Sequence, residues 1–249
     1  MRVLDLFSGI GGFSLGLERA GMETVAFCES DQFCQAVLAK HWPHIRIHDN
    51  IHSLNGGYYF GKVEVVCGGF PCQPFSSSGL RRGASDDRYL WPEMFRVIRE
   101  SRPDWVIGEN VSAFARMGLD EMLSDLEEEK YTSRSFIIPA CGVDAPHRRN
   151  RVWVVAHANH KGQRADQRGR GEGDYARSDG KTTSGQRPLD TDKARWGDEP
   201  RICRISHGLP NRLDRIKALG NSLVPQIAEQ IGHAIIETER GKDVACVLR

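Results

Sequence analysis

The chain has 249 residues, and 34 Lys and Arg against 33 Asp and Glu leave a net charge of +1. Global charge therefore marks no polyanionic partner, and any nucleic-acid surface has to come from local clustering. Seven cysteines, an odd number without a C-x-x-C pair, speak against a disulfide framework or zinc ribbon and for a reducing compartment. No apolar run approaches the roughly 18 residues of a membrane span and no leader-like segment opens the chain, so a soluble, cytoplasmic protein is expected.

Taken in order, the first half alternates apolar strands with amphipathic helices. RVLDLF (2–7) predicts a strand, FSLGLERA (13–20) a helix ended by Gly21, and ETVAFCE (23–29) a second strand. DQFCQAVLAKHW (31–42) predicts a helix that Ser30 can cap. Strands follow at 63–69, 104–109, 133–140 and 151–156, with helices near 89–100 and 119–129 between them. This spacing predicts an α/β fold, a mainly parallel twisted sheet with helices on both faces. Ligands then bind beyond the carboxyl ends of the strands, where the Gly-rich and Pro-rich stretches lie.

Residues 161–195 differ in composition: nine Lys/Arg, six Asp/Glu and six Gly, with few apolar residues. Such a segment buries too little surface to offset its ordering entropy and reads as a solvated insertion. The alternative is a basic arm that orders on phosphates. LVPQIAEQIGHAIIET (223–238) restores an amphipathic helix.

Two stretches carry chemistry. DLFSGIGGF (5–13) sets glycines at 9, 11 and 12 between a strand and a helix, where backbone can approach a ligand. Glu29 closes the second strand twenty residues after Gly9, suited to ribose hydroxyls, while Ser14 leaves the six-residue dinucleotide fingerprint incomplete. GGFPCQPFSSSG (68–79) holds Cys72 between Pro71 and Pro74, a stiffened loop able to present a thiol at a fixed angle. His41, His44, His48 and His52 have helix-like spacing, but Pro43 breaks the helix and the following IRI reads as a strand, so they do not read as a metal site.

DLFSGIGG, GGFPCQPFS, ENV (109–111), the R-x-R of PHRRNRVWVVA (146–156) and LGNSLVPQIA (219–228) resemble, in order, the motifs of the DNA cytosine-5 methyltransferases. The resemblance covers roughly residues 1–156 and 211–249 and implies a Rossmann-like methyltransferase fold. It implies a catalytic and cofactor domain at 1–156, a short target-recognition region at 157–210 and a returning segment at 211–249. S-adenosylmethionine is the implied cofactor, with Phe7, Gly9, Gly11, Glu29, Asp49, Pro71, Asn221 and Ser222 lining its pocket. Cys72 is the implied nucleophile and Glu109 the partner of cytosine N3, with Arg149 and Arg151 beside them.

The residue chemistry agrees. Cytosine C5 is a poor nucleophile until a thiolate adds to C6, and a carboxylic acid of raised pKa suits N3. A free thiol titrates near 8.5, so Cys72 needs help to ionise, for which Arg149 and Arg151 are candidates. The implied partner is double-stranded DNA with the target base flipped out of the stack. A separate restriction endonuclease and a monomeric state are further expectations.

The chain departs from the family at His147, where Gln is usual, and at Asn50 after Asp49. Trp196, Arg201, Arg204 and Arg212 are candidates for base or phosphate contacts. Two rival readings are a tRNA methyltransferase of the same fold and a catalytically silent binding module. The first branch carries a Cys-Phe-Thr tripeptide absent here; the second predicts loss of Cys72 or Glu109, and both are present.

Overall fold

The computed structural model describes residues 1–71, 89–159 and 212–241. Cys72, Trp196, Arg201, Arg204 and the 161–195 segment lie outside the described residues, and Arg212 is described by its backbone alone.

The elements are β1 (Arg2–Leu6), α1 (Gly12–Arg19), β2 (Glu23–Cys28), α2 (Gln32–His41), β3 (Arg46–His48), β4 (Val65–Gly68), α3 (Trp91–Ser101), β5 (Trp105–Val111), α4 (Leu119–Glu128), β6 (Tyr131–Ile138), β7 (Arg151–Ala158), α5 (Arg212–Asn221) and α6 (Pro225–Glu239). The seven strands form one sheet in the order β3-β2-β1-β4-β5-β7-β6. β1 to β5 pair in parallel, and β7 runs antiparallel to both β5 and β6. This is the expected Rossmann-like methyltransferase arrangement.

The chain first moves outward from β1 to β3 and then returns to β4 on the other side of β1, so the direction switches between β1 and β4. The crevice at such a switch is where open α/β sheets bind ligands. Phe7–Gly12 and Gly69–Pro71 leave the sheet at that crevice.

Apolar alternation places the core on both faces of the sheet. Leu4, Leu6, Val66 and Val106 pack with α3 and α4 residues such as Trp91, Met94 and Leu126. Val3, Val65, Cys67, Ile107 and Trp153 pack with Phe13 and Leu17 of α1 and Ile227, Ala228 and Ile235 of α6. Successive residues such as Val65 and Val66 face opposite ways, and burial on both faces explains the nearly continuous apolar runs. α1 and α6 cross closely because Gly16 lacks a side chain: a Cβ there would stand 2.7 Å from the Ala228 Cβ.

Several boundaries differ from those expected. α2 is capped by Asp31, whose Oδ1 accepts from the Phe33 and Cys34 amides, rather than by Ser30. The helix starts one residue later than the apolar pattern suggests, and a carboxylate is a strong acceptor for first-turn amides. β5 continues through Val111 because β7 pairs with it to the end, and β7 runs to Ala158, two residues past the expected boundary at 156. α5 was not anticipated. The four histidines fall on different elements: His41 ends α2, His48 ends β3 beneath the Tyr59 hydroxyl at 2.6 Å, and His52 lies in a short 3-10 turn. No helix among the described residues is long and apolar enough to cross a membrane.

Candidate active site

At the carboxyl end of β1 the backbone turns sharply, with Phe7 at φ 53° and Gly9 at φ 54° in the left-handed region. A non-glycine residue held there carries strain of about 1–3 kcal/mol, which the surrounding structure must impose. Gly11, at φ 84°, is the N-cap of α1. A Cβ on Gly11 would meet the Trp42 ring at 2.6 Å, whereas one on Gly9 would meet no heavy atom within 4 Å. Gly9 therefore borders open space, while Gly11 is fixed by packing.

Glu29 organises this turn. Its Oε2 accepts from the Gly9 amide at 2.7 Å and its Oε1 from the Asp31 amide at 2.8 Å. Each oxygen keeps a further lone-pair position, so a half-buried carboxylate oriented this way can still accept from a diol. Asp49 is exposed just past β3. A groove of about 660 Å³ between α2 and β3, bordered by Gln35, Arg46 and Asp49, includes neither Gly9 nor Glu29.

The C-terminal segment supplies the other wall. A Cβ on Gly12 would stand 3.3 Å from the Ser222 Oγ and 3.1 Å from Leu223, so the turn after α5 packs directly on the start of α1. The Lys217 ammonium of α5 reaches the Asp31 carboxylate at 2.8 Å. Residues about two hundred positions apart thus meet at the carboxyl ends of β1 and β2. The open space at Gly9 and the oriented Glu29 carboxylate beside it are chemically suited to a nucleoside such as that of S-adenosylmethionine.

At the neighbouring strand ends, Glu109 on β5 is buried, and burial pushes its carboxyl up to about 7 against the opposing pull of Arg151 and Arg149. In the antiparallel β5/β7 register Val111 faces Arg151 and Glu109 faces Trp153. Glu109 and Arg151 are therefore diagonal neighbours on one face, within reach of long side chains. The Arg151 Nε lies 2.9 Å from the Glu109 Oε1. A Cβ on Gly69 would stand 3.1 Å from the Glu109 Oε2, so the carboxyl lies over the start of the loop that leads to Cys72.

Both ends of that loop are pinned. The Leu90 amide donates to the Pro71 carbonyl at 3.3 Å, and the buried Asn110 donates through Nδ2 to the Phe70 carbonyl at 3.0 Å. Arg149, at φ 29°, directs Nη2 to the carbonyls of Gly220 and Ser222, both at 2.6 Å. His147 is exposed, and the backbone around it is closed by the Ala140 amide on the Arg148 carbonyl at 2.6 Å.

The described residues thus bring Glu29 onto the Gly9 amide, Ser222 onto Gly12 at the start of α1, and Glu109 with Arg151 beside Gly69. Sequence reasoning missed Asn110 and Lys217. Asn110 stood inside the quoted ENV string, but nothing local reveals that its partner is a backbone carbonyl forty residues earlier. Lys217 sits in a helix whose Leu213, Ile216 and Leu219 spacing was available as a signal. Asp5, fully buried on β1, was also missed; burial pushes its carboxyl up to about 7, and the Ser14 hydroxyl donates to its Oδ2 at 2.7 Å.

A model of the C-5 cytosine-specific DNA methylase family matches residues 1–192, more than three quarters of the 249 residues. The chain belongs to this family. Among curated relatives it is 35% identical over 165 residues to type II methyltransferase M2.BsuMI of Bacillus subtilis, covering 63% of this chain and 42% of the relative. With type II methyltransferase M.HhaI of Haemophilus parahaemolyticus it shares 32% identity over 164 residues, covering 64% of this chain and 50% of the relative.

Among solved structures, an Escherichia coli prophage-encoded protein given as a DNA modification methyltransferase aligns with a TM-score of 0.54 and 26% identity, over 64% of this chain and 47% of that one. Spodoptera frugiperda DNMT2, at a TM-score of 0.55 and 24% identity over 65% of this chain and 51% of that one, supports the fold alone. The chain spans half or less of the length of these two curated family members.

Proposed function

We propose that this chain is the catalytic core of an S-adenosylmethionine-dependent DNA cytosine-5 methyltransferase acting on double-stranded DNA. The observation that carries the reading is Glu109: a buried carboxyl raised to about 7, paired to Arg151 at 2.9 Å and lying over the backbone that leads into Cys72. An acid held near neutrality can donate to a ring nitrogen and retain the resulting charge beside a guanidinium.

In this reading the Cys72 thiolate adds to C6 of a flipped cytosine. As the C5–C6 double bond opens, electron density moves toward N3, where Glu109 supplies its proton and Arg151 steadies the carboxylate left behind. C5 then carries enamine character. Bound S-adenosylmethionine supplies an electrophilic methyl group for C5. Loss of the C5 proton to a base, for which a water suffices, expels the Cys72 sulfur, and return of the N3 proton to the Glu109 carboxylate restores the neutral aromatic ring.

Phe7, Gly9 and Gly11 shape the cofactor turn, Glu29 accepts from the ribose, and Asp49 approaches the adenine. Pro71, Asn221 and Ser222 complete the walls. Residues 157–210 act as the target-recognition region, with Trp196, Arg201, Arg204 and Arg212 contacting the duplex. A monomer working in the cytoplasm beside a separate restriction endonuclease completes the proposal.

The test is incubation with S-adenosylmethionine and mixed-sequence duplex DNA, followed by bisulfite sequencing. Protection at one recurring short motif is expected from the wild-type chain and none from Cys72→Ala. Equal protection by the two proteins rejects the mechanism, and methylation of tRNA in place of DNA rejects the substrate.

A further inference from the structure

α5 has an unusual attachment. Leu213, Ile216 and Leu219 are 80%, 56% and 65% exposed, and Ala218 is its buried residue among those described. Among the described residues this helix packs little apolar surface against the core. Polar contacts reach it from two sides. On one side Lys217 reaches Asp31, whose amide in turn donates to Glu29 in the cofactor turn. On the other, both Nη2 hydrogens of Arg149 are directed to the carbonyls of Gly220 and Ser222, at the end of the helix and the turn after it.

Those two carbonyls belong to the wall that packs on Gly12 at the start of α1. Arg149 itself stands two residues before Arg151, which holds Glu109. Its backbone is kept at φ 29°, a conformation that a side chain disfavours and that has to be maintained by its surroundings. The bidentate grip on two carbonyls is one such restraint. Burial and the neighbouring Arg151 pull the Arg149 pKa down, and Glu109 opposes them, so this guanidinium belongs electrostatically to the same group as the catalytic pair.

We propose that Arg149 is a positioning residue that couples cofactor occupancy to the substrate-base site by gripping the Gly220–Ser222 wall. Resting on the methyltransferase reading above, this gives Arg149 a task inside the protein rather than a phosphate or base contact. A cofactor filling the cradle presses the Ser222 turn into place. The turn fixes Arg149, and Arg149 fixes the entry to β7 from which Arg151 meets Glu109. By linkage, duplex DNA engaging Glu109 and Arg151 strengthens cofactor binding by the same factor.

The experiment measures S-adenosylhomocysteine affinity by calorimetry with and without a saturating mixed-sequence duplex, for wild type, Arg149→Gln and Arg149→Lys. Wild type is expected to bind the nucleoside about tenfold tighter with duplex present, within the usual range of coupling. In Arg149→Gln that factor is expected to fall to near one and affinity without duplex to drop. Arg149→Lys, which keeps a cation and donors, is expected to restore part of both and guards against a folding defect in the glutamine variant.

Unchanged nucleoside affinity and coupling in Arg149→Gln, with weaker duplex binding and a salt slope smaller by about one, overturns the proposal in favour of a phosphate contact. If wild-type protein binds no nucleoside, the methyltransferase reading fails, a result distinct from loss of coupling in the variant alone.

Discussion

Asn110 donates through Nδ2 to the carbonyl of Phe70 at 3.0 Å, and its Oδ1 accepts the Val111 amide at 2.9 Å, so one buried amide ties β5 to the backbone two residues ahead of Cys72. The side chain next to Glu109 thus holds the loop over which Glu109 lies. Asn110→Asp preserves the shape but sets an acceptor against the Phe70 carbonyl. A stability loss of about 1–3 kcal/mol is expected from the unmet buried carbonyl. Single-turnover methylation should slow while the Kd for S-adenosylhomocysteine stays put. A rate equal to wild type removes Asn110 from loop positioning.

The pH dependence of the reaction follows from Glu109. Its carboxyl sits near 7, against an ordinary 4.5, because desolvation outweighs the pull of the two arginines. The protonated form prevails below about 7, so in the proposed mechanism donation to N3 is lost as pH rises through that value. Arg151→Ala removes an opposing influence and is expected to move the alkaline limb to higher pH. Glu109→Gln is expected to abolish the limb and slow the reaction by about 10²–10⁴-fold. Rate against pH under single-turnover conditions checks both, and an unmoved limb in Arg151→Ala contradicts the assignment.

Gly9 and Gly11 should respond differently to alanine, although both carry the strain of a positive φ. At Gly11 a Cβ would stand 2.6 and 2.7 Å from the Trp42 ring, whose Nε1 is itself held by Glu18 at 2.9 Å. Overpacking of this kind costs about 1–3 kcal/mol, and φ 84° adds strain, so Gly11→Ala is expected to lower the urea midpoint clearly. At Gly9 the neighbouring space is open, so Gly9→Ala is expected to cost less stability but to weaken S-adenosylhomocysteine binding, because the added methyl occupies the cradle. Equal cofactor affinity in Gly9→Ala would show that the cradle lies elsewhere.

Asp5 links stability to pH. Its carboxyl is fully buried beside the Cys67 thiol and is raised to about 7 from 3.8. Because the folded pKa is the higher one, the folded state binds more protons between these values. Stability is therefore fullest below about 3.8 for this group, falls as pH rises toward 7 and is flat above, by up to a few kcal/mol. Glu109 titrates upward in the same window and adds to the slope. Asp5→Asn should flatten part of it and raise the urea midpoint at pH 8 relative to wild type. An unchanged slope from pH 5 to 8 counts against a buried, protonated Asp5.

Much of the architecture was legible in the amino-acid order. Apolar alternation in RVLDL and the 3.6 period of the helices are local properties, so the strand-helix succession and the Gly-rich turn after β1 could be read directly. The position of Glu29 at the end of β2 followed from the same periodicity, and the ordered motifs named the family; β5 runs on to Val111, two residues past the end expected at Glu109, because β7 pairs along it. Other features depend on partners distant in the chain. The β5/β7 register makes Arg151 a diagonal neighbour of Glu109, and a one-residue slip would turn it to the other face. Asn110 finds Phe70, Arg149 finds Gly220 and Ser222, and Lys217 finds Asp31 only once the sheet has brought both ends of the chain to one crevice. The raised pKa values of Asp5 and Glu109 arise from desolvation by the surrounding core. Sequence determines the periodic preferences of each segment; packing decides which segments meet, and with them the geometry and charge state of the site.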